Sequence, residues 1–258
     1  MRTGNHAIIN WLRSQVKGKV FHINNLIVDE NPYRYKYYNL LDFYPQHKTR
    51  IKNYRLQAEG NLVTRDCLIY SYEDYDLNRV FSDRFEKKHD LYLGKTERRH
   101  DIIIVRDPFN LIASRLKSNM IRVKDSRQNF IYLWIAYAKE HVGETDYLKH
   151  NKLCINYNQW CSDIDYRRSI ADRLNLEFSD AGIDKIASHG GGSSFDRNNP
   201  DIKASEMDTG NRWKYYVDDP YYRKLVRNRE LLFYARQIFG DDLVTEVGEY
   251  LSLAEKKR

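Results

Sequence analysis

The chain has 258 residues, 41% of them hydrophobic and 31% charged, with a formal net charge of +7. That is long enough for one well-buried α/β domain or two small ones, and the balance of apolar and charged residues excludes a disordered chain. No run approaches the ~20 apolar residues of a membrane-spanning helix, and the polar Thr-Gly-Asn-His run after Arg2 does not read as the apolar core of a signal peptide. The basic surplus favours an anionic partner, such as a phosphate-rich cofactor, an acidic glycan, nucleic acid or an anionic membrane.

In chain order, residues 7–16 carry Ala7, Ile8, Ile9, Trp11, Leu12 and Val16 at helical spacing. Residues 20–28 read as a strand with its approach. Residues 31–57, rich in Tyr, Arg, Lys and Asn, read as an irregular insertion or lid. Its tyrosines Tyr33, Tyr35, Tyr37 and Tyr38, with Arg34 and Lys36, suit either packing on the core or contact with a sugar or an acidic acceptor. Residues 67–72 read as a strand and 76–88 as a loop with a short helix. Ile102-Ile103-Ile104-Val105 is the clearest buried strand. A helix is expected after Pro108, since proline suits a first helical turn. Further helices are expected over 128–142 and 160–174, with a strand over 152–157 between them. Residues 189–212 read as a long loop, and 221 to about 255 as helical. Strands alternating with helices predict an α/β fold, a three-layer sandwich with a mostly parallel central sheet, in one domain spanning 1–258.

The three cysteines, Cys67, Cys154 and Cys161, lack CxxC spacing and read as small core residues in a reducing compartment, the cytoplasm. The eight histidines show no HxH or HExxH arrangement, so no protein-held metal is expected.

Three motifs carry chemistry. Arg2-Thr3-Gly4-Asn5-His6-Ala7 runs straight into a helix. Gly4 permits a tight turn, the N–H groups of Asn5, His6 and Ala7 point at an anion, and Arg2 adds charge. An Arg-Thr-Gly turn before a helix is also a common structural element. It lacks the Gly-Lys-[Ser/Thr] of a nucleotide-triphosphatase loop, which disfavours a nucleotide kinase. In the second motif, a strand ends at Arg106-Asp107-Pro108 and the following helix carries Ser114. An arginine fork with a hydroxyl suits a monophosphate at the carboxyl end of a strand; the alternative is a helix start at which Arg106 pairs with Asp107. The third is Gly190-Gly191-Gly192-Ser193-Ser194-Phe195-Asp196-Arg197, followed by Arg212-Trp213-Lys214. It suits an anion wrap with aromatic and cationic clamps, or a flexible surface loop.

In this order the three motifs resemble those of the sulfotransferases that use 3′-phosphoadenosine 5′-phosphosulfate (PAPS), a P-loop-like fold. Arg2 to Ala7 resemble the 5′-phosphosulfate loop. Arg106, Asp107, Pro108 and Ser114 resemble the 3′-phosphate motif. Gly190 to Phe195 with Arg212-Trp213-Lys214 resemble the late loop, and Asn156 to Trp160 the end of the next core strand. His6 departs from the hydroxyl residue usual in the first loop. The strand that should precede Arg2 is missing, so the sequence predicts about 5–10 further upstream residues in the natural protein.

The resemblance implies transfer of a sulfuryl group from PAPS, without a metal, to a hydroxyl or amine of a carbohydrate or small molecule. Arg2 and the groups from Thr3 to Ala7 would hold the phosphosulfate. Arg106 and Ser114 would hold the 3′-phosphate. Gly191, Gly192, Ser193, Ser194, Phe195, Arg197 and Arg212 would close over the nucleotide, within a closing loop spanning 189–214. Glu73 is the first candidate for the base and His6 the second; an acidic pair such as Glu73-Asp74 after a strand also suits a helix cap. The rival class is a noncatalytic nucleic-acid or polyanion binder, drawing on the +7 charge and the many aromatics. The motifs disfavour nucleic acid as the partner.

Overall fold

The computed structural model describes residues 3–121, 123, 129–184, 195 and 206–256. The protein is mixed α/β, with many helices and short parallel strand pairs. It divides into two compact units, one formed by residues 16–99 and the other by residues 1–15 together with 100–258. Among the described residues, no helix is long and apolar enough to cross a membrane.

The first element is α1 (Asn5–Gln15), which belongs to the larger unit. The smaller unit follows. Its β1 (Val20–Leu26) pairs in parallel with β2 (Cys67–Tyr72), in the register Val20 to Cys67 through Ile23 to Tyr70. The register then slips, and Leu26 stands opposite Tyr72. At the slip Asn25 takes a left-handed φ of 50°, its N–H donates to Ser71 Oγ at 3.3 Å, and Ser71 Oγ donates to Asn24 Oδ1 at 2.9 Å. This is a bulge held by side chains.

The stretch expected to be an irregular insertion folds instead as α2 (Pro32–Phe43) and α3 (Lys48–Ala58). Asn31 caps α2, its Oδ1 accepting from the N–H groups of Tyr33 and Arg34 at 3.0 and 3.2 Å, and Pro32 occupies the first turn. Tyr33 and Leu40, seven apart, are buried on one face with Tyr37 between them, and they join Ile23, Leu26, Tyr54, Phe85 and Leu93 in one core. Packing of this stripe outweighs the modest helix propensity of tyrosine. Three short helices complete the unit, α4 (Leu77–Val80), α5 (Asp83–Glu86) and α6 (His89–Leu93).

In the larger unit β3 (Ile102–Val105) pairs in parallel with β4 (Leu153–Asn156), in unbroken register from Ile102 opposite Leu153 to Val105 opposite Asn156. The crossover between them carries α7 (Pro108–Lys117) and α8 (Phe130–Val142). After β4 come α9 (Tyr157–Ser162) and α10 (Ile164–Arg173). The single helix expected over 160–174 is broken at Asp163, which ends α9 and caps α10. The helical tail is likewise three helices, α11 (Pro220–Val226), α12 (Arg229–Phe239) and α13 (Asp241–Lys256). Asn228 caps α12, and Gly240 at φ 89° separates α12 from α13.

Helix α1 is fixed by its apolar face and by one polar anchor. Ile8, Ile9, Trp11 and Leu12 are buried. Trp11 stands edge-on to Trp160 at 5.9 Å, and its Nε1 donates to Asp180 at 3.3 Å. Arg167 grips the same carboxylate with two bonds, at 2.9 and 2.8 Å, and holds Asp180 below the usual carboxylate range.

Candidate functional site

Parallel pairing of β3 and β4 brings two chain turns side by side at the carboxyl ends of the strands. Because Val105 stands opposite Asn156, Arg106 and Asp107 emerge beside Tyr157 and Asn158. Open α/β sheets bind ligands at this end. Asp107 is held here by amides. One of its oxygens accepts from the Asn110 backbone N–H at 2.8 Å and from Asn110 Nδ2 at 3.0 Å, capping α7, while the other accepts from Asn158 Nδ2 at 3.0 Å. Asn156 caps α9 through the N–H groups of Asn158 and Gln159. Two neighbouring helices therefore start from a cross-linked pair of caps.

Arg106 is buried. Its guanidinium lies over the Tyr157 ring at 5.1 Å, one terminal nitrogen donates to the Thr209 carbonyl, and its own carbonyl accepts from Trp134 Nε1 at 2.9 Å. Ser114, two helical turns along α7, is 1% exposed, and its hydroxyl has no hydrogen-bond partner among the described residues. An orphaned buried hydroxyl is costly and rare in native proteins, and calls for an explanation.

The glycine turn lies against the same tyrosine. Gly4 has φ 84°, and a Cβ there would sit 2.0 Å from Tyr157 Cε2, so the chain passes flat over the ring. This is the close approach for which a glycine is needed. Thr3 is buried and lines a small cavity with Arg106, Leu111, Phe130, Trp134 and Tyr137. At about 20 Å³ it is water-sized, a gap beneath the turn and not a nucleotide pocket. Asn5 is buried and His6 half-buried at the start of α1. The Ala7 amide, expected as an anion donor, donates to the Gly4 carbonyl at 3.0 Å. That corrects the expectation for Ala7, because closing the first helical turn takes up the donor.

The third motif reaches the same place. Asn110 Nδ2 donates to the Gly210 carbonyl at 2.9 Å, and Asn110 Oδ1 accepts from the Trp213 amide at 3.4 Å. The 3-10 turn Arg212–Tyr216 thus packs on α7, with Trp213 fully buried. Arg212, also buried, lies over the Phe195 ring at 5.2 Å; Lys117 approaches that ring at 5.8 Å and Tyr215 at 5.6 Å. Burial and the adjacent Cys161 push the Tyr157 hydroxyl up from its ordinary pKa, while Arg106 and Arg212 both pull it down. Two buried guanidiniums therefore act on one tyrosine. Arg2, Gly191, Gly192, Ser193, Ser194 and Arg197 lie outside the described residues.

Glu73 belongs to the smaller unit and follows the carboxyl end of β2. The helix-cap alternative does not hold. The cap position of α4 is Asp76, and Asp74 takes a left-handed φ of 61° between them. Burial pushes the Lys36 ammonium down from its usual value, and Glu73 opposes the shift, so the two side chains share one electrostatic environment.

Sequence reasoning placed Tyr157 only within the Asn156–Trp160 segment, and gave no site role to it, to Trp134 or to Asn110. The signal for Tyr157 was its place directly after an apolar run, matching Arg106 after the Ile102–Val105 run, which only strand register converts into a contact. Among the described residues, no group of three or more His, Cys, Asp or Glu side chains is arranged to hold a metal ion. Comparison with protein-family models, with curated proteins and with solved structures finds no match for this chain.

Proposed function

We propose that the protein is a PAPS-dependent sulfotransferase, with the larger unit holding the nucleotide at the carboxyl ends of β3 and β4. The observation that carries this reading is the β3–α7 segment, where a buried Arg106 and an orphaned buried Ser114 hydroxyl stand on one strand–helix unit. A guanidinium and a hydroxyl on such a unit suit the 3′-phosphate that distinguishes PAPS from ordinary adenine nucleotides. The Gly4 turn, packed on the ring that also carries Arg106, suits the 5′-phosphosulfate at the start of α1. Arg212 and Phe195 supply a cation and a ring for the nucleotide. A three-layer sandwich with a P-loop-like turn is the architecture that goes with this reading.

PAPS supplies the activated sulfuryl group. Arg2, with the turn from Thr3 to His6, neutralises charge on the phosphate from which that group departs. A general base accepts the proton as the acceptor oxygen or nitrogen forms its bond to sulfur and the sulfur–oxygen bond to the phosphate breaks, Glu73 being the first candidate by sequence and His6 the second. Positioning and charge neutralisation do most of the work, as in phosphoryl transfer.

Calorimetric titration with 3′,5′-adenosine bisphosphate, 5′-AMP and ATP tests the proposal. The bisphosphate binds more tightly than AMP, and Arg106→Ala weakens its binding by about 2–4 kcal/mol while changing AMP binding far less. Equal affinity for bisphosphate and AMP refutes the assignment. A noncatalytic polyanion binder would instead bind nucleic acid with strong salt dependence and no nucleotide preference.

A further inference from the structure

The smaller unit contains a cleft that the nucleotide reading does not use. It measures about 550 Å³ and is lined by Lys19 and Phe21 at the amino end of β1, Arg50, Tyr54 and Gln57 of α3, and Arg65, among others. Among the described residues that line it there is no carboxylate, and Asp66 stands beside it, accepting from the Lys19 amide at 2.6 Å. Helix α3 itself carries Lys48, Arg50, Lys52 and Arg55 and no acidic residue. Each of the two arginines of the cleft is held by a tyrosine hydroxyl. Arg50 hydrogen-bonds the Tyr54 hydroxyl. Arg65 donates to the Tyr33 hydroxyl and the Val63 carbonyl at 3.0 Å each, and bonds Gln57 Oε1. Its guanidinium also covers the Phe21 ring at 4.5 Å. Guanidiniums held in place in a concave site make an anion receptor. The cleft lies at the amino ends of β1 and β2, roughly 20 Å along the strands from Glu73.

The walls decide what kind of anion fits. Single-stranded nucleic acid binds by stacking bases on open aromatic faces. Here Phe21 is covered by Arg65, and Tyr54 is packed against Phe21 at 5.8 Å and Tyr33 at 6.3 Å. At the rim Lys19, Arg50, Asn53 and Asn61 are exposed, beside an exposed Val63. Cations with side-chain amides around a pocket of this volume match a short chain of sugars carrying sulfate or carboxylate groups, the cations taking the acid groups and the amides the hydroxyls. We propose that this cleft is a binding site for an acidic oligosaccharide. The assignment does not rest on nucleotide binding by the larger unit.

Calorimetry on the full chain at low salt, with a fully sulfated heparin-derived tetrasaccharide, tests it. The tetrasaccharide binds, and its affinity falls as salt is raised. The double variant K19Q/R50Q, which changes two exposed side chains and leaves Arg65 in its core contacts, weakens binding about tenfold or more. R55Q, a cation of the same helix that does not line the cleft, changes binding less than about twofold. Affinity for 3′,5′-adenosine bisphosphate is the same in the parent and the double variant. The assignment is overturned if the tetrasaccharide does not bind, or if the double variant binds it as tightly as the parent. It is overturned equally if an oligothymidylate of matching charge binds as well as the sugar, or if the double variant also loses the bisphosphate.

Discussion

Ser114→Ala separates stability from binding in a way few substitutions at a buried site do. The Ser114 hydroxyl is 1% exposed and makes no hydrogen bond among the described residues. Folding strips it of water without return, at a cost of about 1–3 kcal/mol. Removing the oxygen relieves that cost and leaves a void of a single atom, which gives back part of the gain. Alanine also has the better helix propensity, by a few tenths of a kcal/mol. The free protein should therefore be as stable as the parent or more so, by up to about 1–2 kcal/mol in urea denaturation. Binding moves in the opposite direction. A hydroxyl donating to a phosphate is a charge-assisted bond worth about 1.5–3 kcal/mol, so the variant loses about 10- to 100-fold in affinity for 3′,5′-adenosine bisphosphate and little for 5′-AMP. A variant destabilised by more than about 1 kcal/mol would mean that the hydroxyl has a structural partner, and an unchanged bisphosphate-to-AMP ratio would remove Ser114 from the 3′-phosphate site.

Gly4→Ala places a methyl group against the Tyr157 ring at a left-handed φ; the strain and clash together lower stability by about 2–5 kcal/mol in thermal or urea melts. Combining it with Tyr157→Leu should cost less than the sum of the two changes, and simple additivity would refute the contact. Glu140 is fully buried on α8; burial pushes its carboxyl up, but bonds from Lys152, Thr145 and the amides of Tyr147 and Leu148 outweigh that and hold it below its ordinary value. A depressed carboxylate stabilises the fold above its unfolded pKa of about 4.3 and loses that contribution as pH falls through the lower folded value. Glu140→Gln accordingly costs about 2–3 kcal/mol at pH 7, and the gap to the parent narrows below about pH 4; a gap independent of pH between 3 and 7 would refute the ionic account.

The strands were legible wherever a short apolar run carried them, as at Cys67–Tyr72 and Ile102–Val105, both found at the expected residues. Pro108 marked the start of α7 for a local reason, its fit to a first helical turn. The helices α2 and α3 were not legible because their buried stripe is built from Tyr33, Leu40, Tyr54 and Gln57 among cations, and tyrosine and glutamine hide an apolar periodicity. Asn31-Pro32 was the available start signal. Arg106 and Ser114 stood out as a local motif. The part played by Tyr157 did not, since it depends on register between strands about fifty residues apart and on a glycine more than a hundred residues away. The division into two units leaves no proline- or glycine-rich linker at either boundary.

The bulge at Asn24-Asn25 governs which way the end of β1 faces. In a regular strand, residues three apart point to opposite faces. Ile23 and Leu26 are three apart, yet both are buried in the same core, at 0% and 1% exposure. The additional residue at the bulge supplies the missing half-period. Straightening the strand with all its residues kept would therefore turn Leu26 out to solvent, whereas deleting Asn25 would put Leu26 two residues after Ile23, the spacing at which a regular strand keeps both side chains on one face. The conformation that permits the additional residue is the left-handed turn at Asn25, and two short polar side chains with one serine hydroxyl keep the last residues of the strand facing inward.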